Sequence, residues 1–298
     1  MKGRVIVIGG PTATGKTALG VSVAKAVGGE IVSADSMQIY RRMDIGTAKA
    51  TMSERGGVPH YMLDVVEPDQ AFSVAEYQRM ATGYVDEILA RGKTPIIVGG
   101  TGLYINSLLY PMEFRAFDPE LRSQIADMYG RYGNDYMHAL LAEKVPSAAA
   151  KLYPNDVKRV GRALELAMGG TAHSEGDMSR EPRYDYRMYV ISGDRQKIYE
   201  RINKRVDLML VCGLIAEVKD LLDSGVPSTA QSFQAIAYKE TAEYLRGERS
   251  YEDTIELIKK RSRNYAKRQL TWFRQYDKAV WLDYQDSATN VQKVIDNE

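Results

Sequence analysis

Four apolar residues, Val5-Ile6-Val7-Ile8, run straight into Gly10-Pro11-Thr12-Ala13-Thr14-Gly15-Lys16-Thr17, and Ala18-Leu19-Gly20-Val21 follows as a helical start. No other stretch restricts the fold as strongly. The glycine segment fits G-x-x-x-x-G-K-[ST], and the motif is credible only between a buried strand and a helix, which is where it stands. Backbone N–H groups of the loop and of the helix N-terminus then face phosphate oxygens. Lys16 adds a positive charge, and the Thr17 hydroxyl is placed to coordinate Mg²⁺. A plain glycine turn between strand and helix would not require Lys-Thr at its end.

Two further strand candidates end in chemistry. Glu30-Ile31-Val32-Ser33-Ala34 leads into Asp35-Ser36-Met37-Gln38, and Pro95-Ile96-Ile97-Val98 leads into Gly99-Gly100-Thr101-Gly102. Ligands of open parallel sheets bind beyond the carboxyl ends of the strands, so Asp35 and Thr101 are predicted to face the same crevice as Lys16. Strand and helix patterns alternate from Arg4 to Tyr110. This predicts an α/β fold, a P-loop-type parallel sheet flanked by helices. Ser73, with Glu76 three residues on, predicts an N-capped helix to Ala90, stopped by Arg91-Gly92.

After Pro111 the pattern turns helical, with Asn155 or Asp156 as a cap for a helix running to Gly169-Gly170. Thr171 to Arg183 is polar and reads as a mobile loop, and Arg187-Met188-Tyr189-Val190-Ile191 reads as a return strand. The expected organisation is a catalytic core of residues 1–113 and 186–298 with a helical insertion domain at 114–185. From Gln196 onward only helices are expected. The last long helix, 255–281, is predicted to carry a basic stripe of Lys260, Arg263, Lys267, Arg274 and Lys278 opposite Ile255, Ile258, Tyr265, Trp272 and Tyr276. Such a stripe is either a solvated face or a polyanion footprint, and charge alone does not choose between them.

Composition excludes several classes. The net charge is +1, with 40 Lys+Arg against 39 Asp+Glu, so bulk charge announces no nucleic-acid partner. One cysteine rules out a disulfide within the chain. The histidines, His60, His138 and His173, have no metal-ligand spacing. No apolar run approaches the roughly 18 residues of a membrane span. No signal peptide is evident, and a cytoplasmic monomer is expected.

The phosphate loop, Asp35-Ser36-Met37-Gln38 and Gly99-Gly100-Thr101-Gly102, in that order, resemble the tRNA dimethylallyltransferases, also called tRNA isopentenyltransferases. The likeness extends through Gly46-Thr47-Ala48-Lys49, Ser73-Val74-Ala75-Glu76-Tyr77, Pro154-Asn155-Asp156, Arg162-Ala163-Leu164-Glu165, Tyr238-Lys239-Glu240 and Tyr265-Ala266-Lys267-Arg268-Gln269. The single cysteine points to the bacterial type without a zinc finger. Departures are few: Ala50 stands where the family usually has Pro, Tyr61 and Tyr153 where His is common, and Ala237 where Gly is usual.

The resemblance implies transfer of a dimethylallyl group from its diphosphate to the exocyclic amine of adenosine 37 in tRNA. Asp35 is then the general base, Thr101 its helper, and Lys16 and the loop Gly10 to Thr17 hold the diphosphate with Mg²⁺. Arg201 and Arg205, one turn apart, are both candidates for a further diphosphate contact, and the residues do not choose between them. The implied tRNA contacts are Asp35, Ser36, Met37 and Gln38, with Thr101, then Lys158, Arg159, Val160, Gly161 and Arg162, and Arg263 and Lys267. Two rivals share the crevice: a small-molecule P-loop kinase, and a prenyl transfer to free adenine nucleotide. A non-catalytic RNA-binding module is a third. The kinase gives no reason for Gly99-Gly100-Thr101-Gly102 with Tyr265 to Gln269, and a free nucleotide needs neither a helical insertion nor a basic C-terminal helix.

Overall fold

The computed structural model describes residues 3–114, 118–169 and 181–297. They form two compact units, Met1–Pro111 with Arg180–Glu298, and Met112–Ser179.

The larger unit begins with β1 (Arg4–Gly9), α1 (Lys16–Val27), β2 (Glu30–Ala34), the short α2 (Met52–Arg55), β3 (His60–Tyr61), α3 (Val74–Ala90), β4 (Pro95–Gly99) and α4 (Gly102–Leu109). The capping box predicted for α3 is present: Ser73 Oγ accepts from Glu76 N at 3.2 Å, and Glu76 Oε2 accepts from Ser73 N at 2.7 Å. Val5, Ile6, Val7 and Ile8 have no exposed surface, as an inner parallel strand requires.

The second unit is helical. It contains α5 (Pro119–Lys144), α6 (Pro146–Ala149) and α7 (Val157–Met168). Gly133, at φ 75°, breaks α5 into two arms. Asp156, rather than Asn155, caps α7, its side chain accepting from Arg159 N at 3.4 Å. Ile125, Met137 and Leu141 of α5 pack on Val160, Ala163 and Leu164 of α7.

The chain returns to the larger unit in β5 (Asp185–Ser192), then α8 (Arg195–Val211), α9 (Leu214–Asp223), a 3₁₀ turn at Ser232–Gln234, α10 (Tyr238–Leu245), α11 (Tyr251–Phe273), β6 (Val280–Asp283) and α12 (Ser287–Ile295). The six strands form one sheet in the order β3-β2-β4-β1-β5-β6, and every neighbouring pair is parallel. No described helix is long and apolar enough to cross a membrane.

Three expectations need correction. Residues beyond Gln196 are not all helical, because β6 pairs with β5 from Tyr189↔Val280 to Ser192↔Asp283. It is an edge strand with only Leu282 buried, so it has no apolar run to read. Second, α11 ends at Phe273; Arg274, Tyr276 and Lys278 therefore lie outside the helix, and the five-residue basic stripe does not exist as one face. Third, Asp185, expected in the insertion, is the first residue of β5. Of the loop read at Thr171 to Arg183, residues 171–180 lie outside the described residues, while Arg183 N donates to Leu109 O at 2.7 Å.

Candidate active site

Beyond the ends of β1, β2 and β4, a cavity of about 630 Å³ is lined by Lys16, Thr17, Asp35, Gln38, Arg205 and Arg268, among others. Its floor is the phosphate loop. The loop needs unusual backbone: Gly10 at φ 137°, Ala13 at φ 65° and Gly15 at φ 90°. A Cβ on Gly10 would stand 2.5 Å from Ile191 O, so only glycine fits beside β5. Within the loop, Thr14 Oγ1 donates to Pro11 O at 2.8 Å and Lys16 Nζ donates to the same oxygen at 2.7 Å. Thr12, Ala13, Gly15, Lys16 and Thr17 face the cavity. Gly10, Pro11 and Thr14 shape the loop from behind.

Asp35 sits at the end of β2, half-buried. Its Oδ1 accepts from Met37 N at 2.9 Å and Gln38 N at 3.3 Å, while Oδ2 accepts nothing among the described residues. The carboxylate thus holds its own turn with one oxygen and leaves the other without a hydrogen bond among the described residues. Gln38 lines the cavity, but its amide is already occupied: Nε2 donates to Thr47 O at 3.2 Å and Ala48 O at 3.4 Å. Ser36 and Met37 line the same wall. Thr101 does not; its Oγ1 accepts from Ser36 N at 3.1 Å. Its hydroxyl steadies the Asp35 turn rather than opening into the cavity.

The two arginines separate. Arg205 lines the cavity and donates from Nη1 to Thr12 Oγ1 at 2.9 Å and from Nη2 to Thr47 O at 3.4 Å. Arg201 is exposed, donates to Ala13 O at 2.8 Å, and lies 5.0 Å from the centre of the Tyr284 ring. It braces the loop from outside.

Electrostatics follow from this crowding. Part of the Lys16 side chain faces the cavity, yet protein packs closely around its ammonium. Burial, with the nearby Arg205 charge, brings its pKa down to about 7 against a partial pull upward from Asp35. Burial also lowers Arg205, opposed by Asp35 and Glu54. Lys16 and Arg205 are desolvated cations in a cavity whose carboxylates are Asp35 and Glu54, and a bound polyanion would relieve both.

The insertion residues fall into two groups. Lys158 and Arg159 are exposed on α7. Val160 is fully buried in the helical core and Gly161 is buried beside it. Neither has a surface to offer a nucleic acid, which removes both from the expected tRNA contacts. Arg162 is half-buried and paired with Glu165 at 2.9 Å. On α11, Lys267 is exposed, whereas the Arg263 guanidinium donates to Asn203 Oδ1 at 2.6 Å.

Sequence reasoning missed the cavity-facing side of α11. Tyr265, Arg268 and Gln269 line the cavity. Burial, with the Asp35 charge, pushes the Tyr265 pKa up to about 12, against a partial pull downward from Thr101, Arg268 and Gln269. Helical spacing puts Tyr265 on an apolar packing face, and nothing in that spacing marks which end of a sheet the face covers. Ala237, also in the wall, has φ 81°, a conformation that favours the glycine usual there.

A family model described as IPP transferase matches residues 38–276. The chain belongs to the IPP transferase family. A tRNA dimethylallyltransferase of Acetivibrio thermocellus is 47% identical over 299 residues, covering 98% of this chain and 95% of the relative. One from an Exiguobacterium species is 48% identical over 281 residues, 94% of this chain and 90% of the relative. Among solved structures, the tRNA isopentenylpyrophosphate transferase of Bacillus halodurans has a TM-score of 0.75 at 40% identity, covering 100% of this chain and 95% of that one. A eukaryotic dimethylallyltransferase acting on tRNA has a TM-score of 0.80 at 27% identity, covering 98% of this chain and 77% of that one. The family match begins at Gln38, so the phosphate loop and Asp35 lie just before it.

Proposed function

We propose that this enzyme transfers a dimethylallyl group from dimethylallyl diphosphate to N6 of adenosine 37 in tRNA, giving N6-dimethylallyladenosine. One observation carries the chemistry: a single cavity has Lys16, Arg205 and the phosphate loop on its floor, and a carboxylate, Asp35, on its wall. The names of the relatives supply the acceptor.

In the transfer, the bond between the allylic carbon and the diphosphate oxygen breaks, and the electron pair leaves with the diphosphate. A carbon–nitrogen bond forms to N6. The proton lost from N6 passes to Asp35, whose Oδ2 is available to accept it. Lys16, Arg205 and the loop N–H groups hold the charge that grows on the leaving oxygen. Thr101 acts at one remove by fixing the Asp35 turn, and Arg201 by bracing Ala13.

Mg²⁺ fits the oxygen donors present, since the Thr17 hydroxyl lines the same cavity as Asp35. Among the described residues no group of three or more His, Cys, Asp or Glu gathers to hold a metal. That suits an ion bound by one or two protein oxygens, phosphate and water. When bound it would neutralise diphosphate charge.

Adenosine in a stem-loop must be swung out of its stack before an enclosed carboxylate can reach it. Lys158, Arg159 and Lys267 are the exposed cations proposed to hold the backbone while this happens. On this reading the enzyme works in the cytoplasm as a monomer.

The test uses radiolabelled dimethylallyl diphosphate with an anticodon stem-loop, the same loop carrying guanosine at position 37, and AMP. Label should enter only the first. Equal labelling of AMP would overturn the tRNA assignment, labelling of the guanosine loop would move the target base, and ATP consumption would favour a kinase.

A further inference from the structure

The side chain of Gln269 connects two loops that the sequence places far apart. It projects from α11 and is 5% exposed. Its Oε1 accepts from Thr12 N at 3.0 Å, in the phosphate loop. Its Nε2 donates to Gly100 O at 3.1 Å, in the loop after β4. The fit is tight: a Cβ on Gly100 would lie 2.0 Å from Gln269 Nε2. The next residue, Thr101, takes the Ser36 amide and thereby holds the Asp35 turn. One buried amide is thus hydrogen-bonded to the leaving-group loop on one side, and on the other to the loop that sets the base.

We infer that Gln269 is a positioning residue for the transfer reaction: it fixes the phosphate loop relative to the Asp35 turn, and so sets the distance between leaving group and proton acceptor. A reaction in which one bond breaks as another forms depends steeply on that alignment, and a misplacement of about 1 Å can cost roughly a hundredfold in rate. Glutamine suits the task because one planar group supplies an acceptor and a donor in opposite senses. Methionine matches its length without either bond. Glutamate matches its shape but, when ionised, sets a carboxylate oxygen against Gly100 O. When protonated, glutamate regains a donor.

The inference rests on the proposed transfer activity, so wild-type labelling of the anticodon stem-loop is the first arm. If that fails, the functional reading fails and Gln269 is not at issue. With wild type active, Gln269→Met and Gln269→Glu are compared with it in single-turnover rate, diphosphate affinity, tRNA affinity and Tm.

The expectation for Gln269→Met is a roughly ten- to hundredfold lower transfer rate at every pH, with tRNA affinity within about twofold of wild type. Gln269→Glu should be as slow near pH 8 and should gain on wild type as pH falls and its buried carboxyl takes a proton. A lower rate in variants whose Tm at each pH stays well above the assay temperature separates positioning from general destabilisation. A Gln269→Met enzyme with normal rate and Tm would overturn the inference, even with Gln269→Glu impaired, since charge alone would then explain the slower reaction. Should Gln269→Met fail to fold, a constant ratio of Gln269→Glu to wild type across pH would overturn it equally.

Discussion

On the proposed mechanism Asp35 does two jobs with two oxygens, and a substitution can separate them. Asparagine keeps an acceptor for Met37 N and Gln38 N but cannot take a proton. Asp35→Asn should therefore lower the single-turnover rate by roughly 10²–10⁴-fold while tRNA affinity stays near normal. A rate within tenfold of wild type would remove Asp35 as the base. Lys16 makes a second prediction at this scale. Its pKa, brought down to about 7 by burial and Arg205, should rise when a diphosphate lies beside it. Affinity for dimethylallyl diphosphate should then be flat below pH 7 and fall as pH rises above it, because binding requires the proton that the free enzyme is losing. Calorimetry from pH 6 to 9 reads the slope, and Lys16→Met should abolish it while weakening binding throughout. The same shift bears on folding: Lys16 has a lower pKa folded than unfolded, so its penalty to stability eases as pH rises from about 7 toward its unfolded value.

The elements carrying basic residues differ in what they leave free. On α7, Arg159 is 75% exposed and only loosely matched with Asp156 at 3.5 Å, while Arg162 is already paired with Glu165. On α11, Lys267 is exposed and Arg263 is tied to Asn203. Removing one cation that pairs with a tRNA phosphate should lower the magnitude of the log–log salt slope of binding by about 0.7–0.9. Arg159→Ala and Lys267→Ala should each show that change; Arg162→Ala and Arg263→Ala should change it less. Filter binding from 50 to 200 mM salt measures it, and equal effects of all four would mean that the Arg162–Glu165 and Arg263–Asn203 contacts open on binding. The capping box of α3, the phosphate loop and the alternating strands were legible in the sequence because each depends on residues close together in the chain. The end of α11 at Phe273 was not, because Arg274 to Lys278 keep helical composition and only the pairing of β6 with β5 pulls the chain away.

At the scale of the molecule, α11 packs across the strand ends so closely that the glycines beneath it are explained by residues far along the chain. A Cβ on Gly9 would lie 2.3 Å from Phe273, and one on Gly102 would lie 2.1 Å from Trp272. Gly102 begins α4, and glycine to alanine in a helix ordinarily stabilises by up to about 1 kcal/mol. Here the sign should reverse: Gly102→Ala should destabilise by about 1–3 kcal/mol because Trp272 must move. A thermal or urea melt decides it, and a raised Tm would show that α11 yields freely.

The sequence by itself determined the phosphate loop, the parallel α/β core, the strand-end placement of Asp35, and family membership. The first three are set by spacing within short segments; family membership rests on the likeness of many motifs in order along the chain. Tertiary structure alone decided that Arg205 rather than Arg201 enters the cavity, that Thr101 supports the Asp35 turn, that Val160 is core, and that Gln269 joins two loops. Those outcomes depend on which face of one helix meets which loop of another. That is fixed by packing among residues distant in the chain, and it leaves no local periodicity to read.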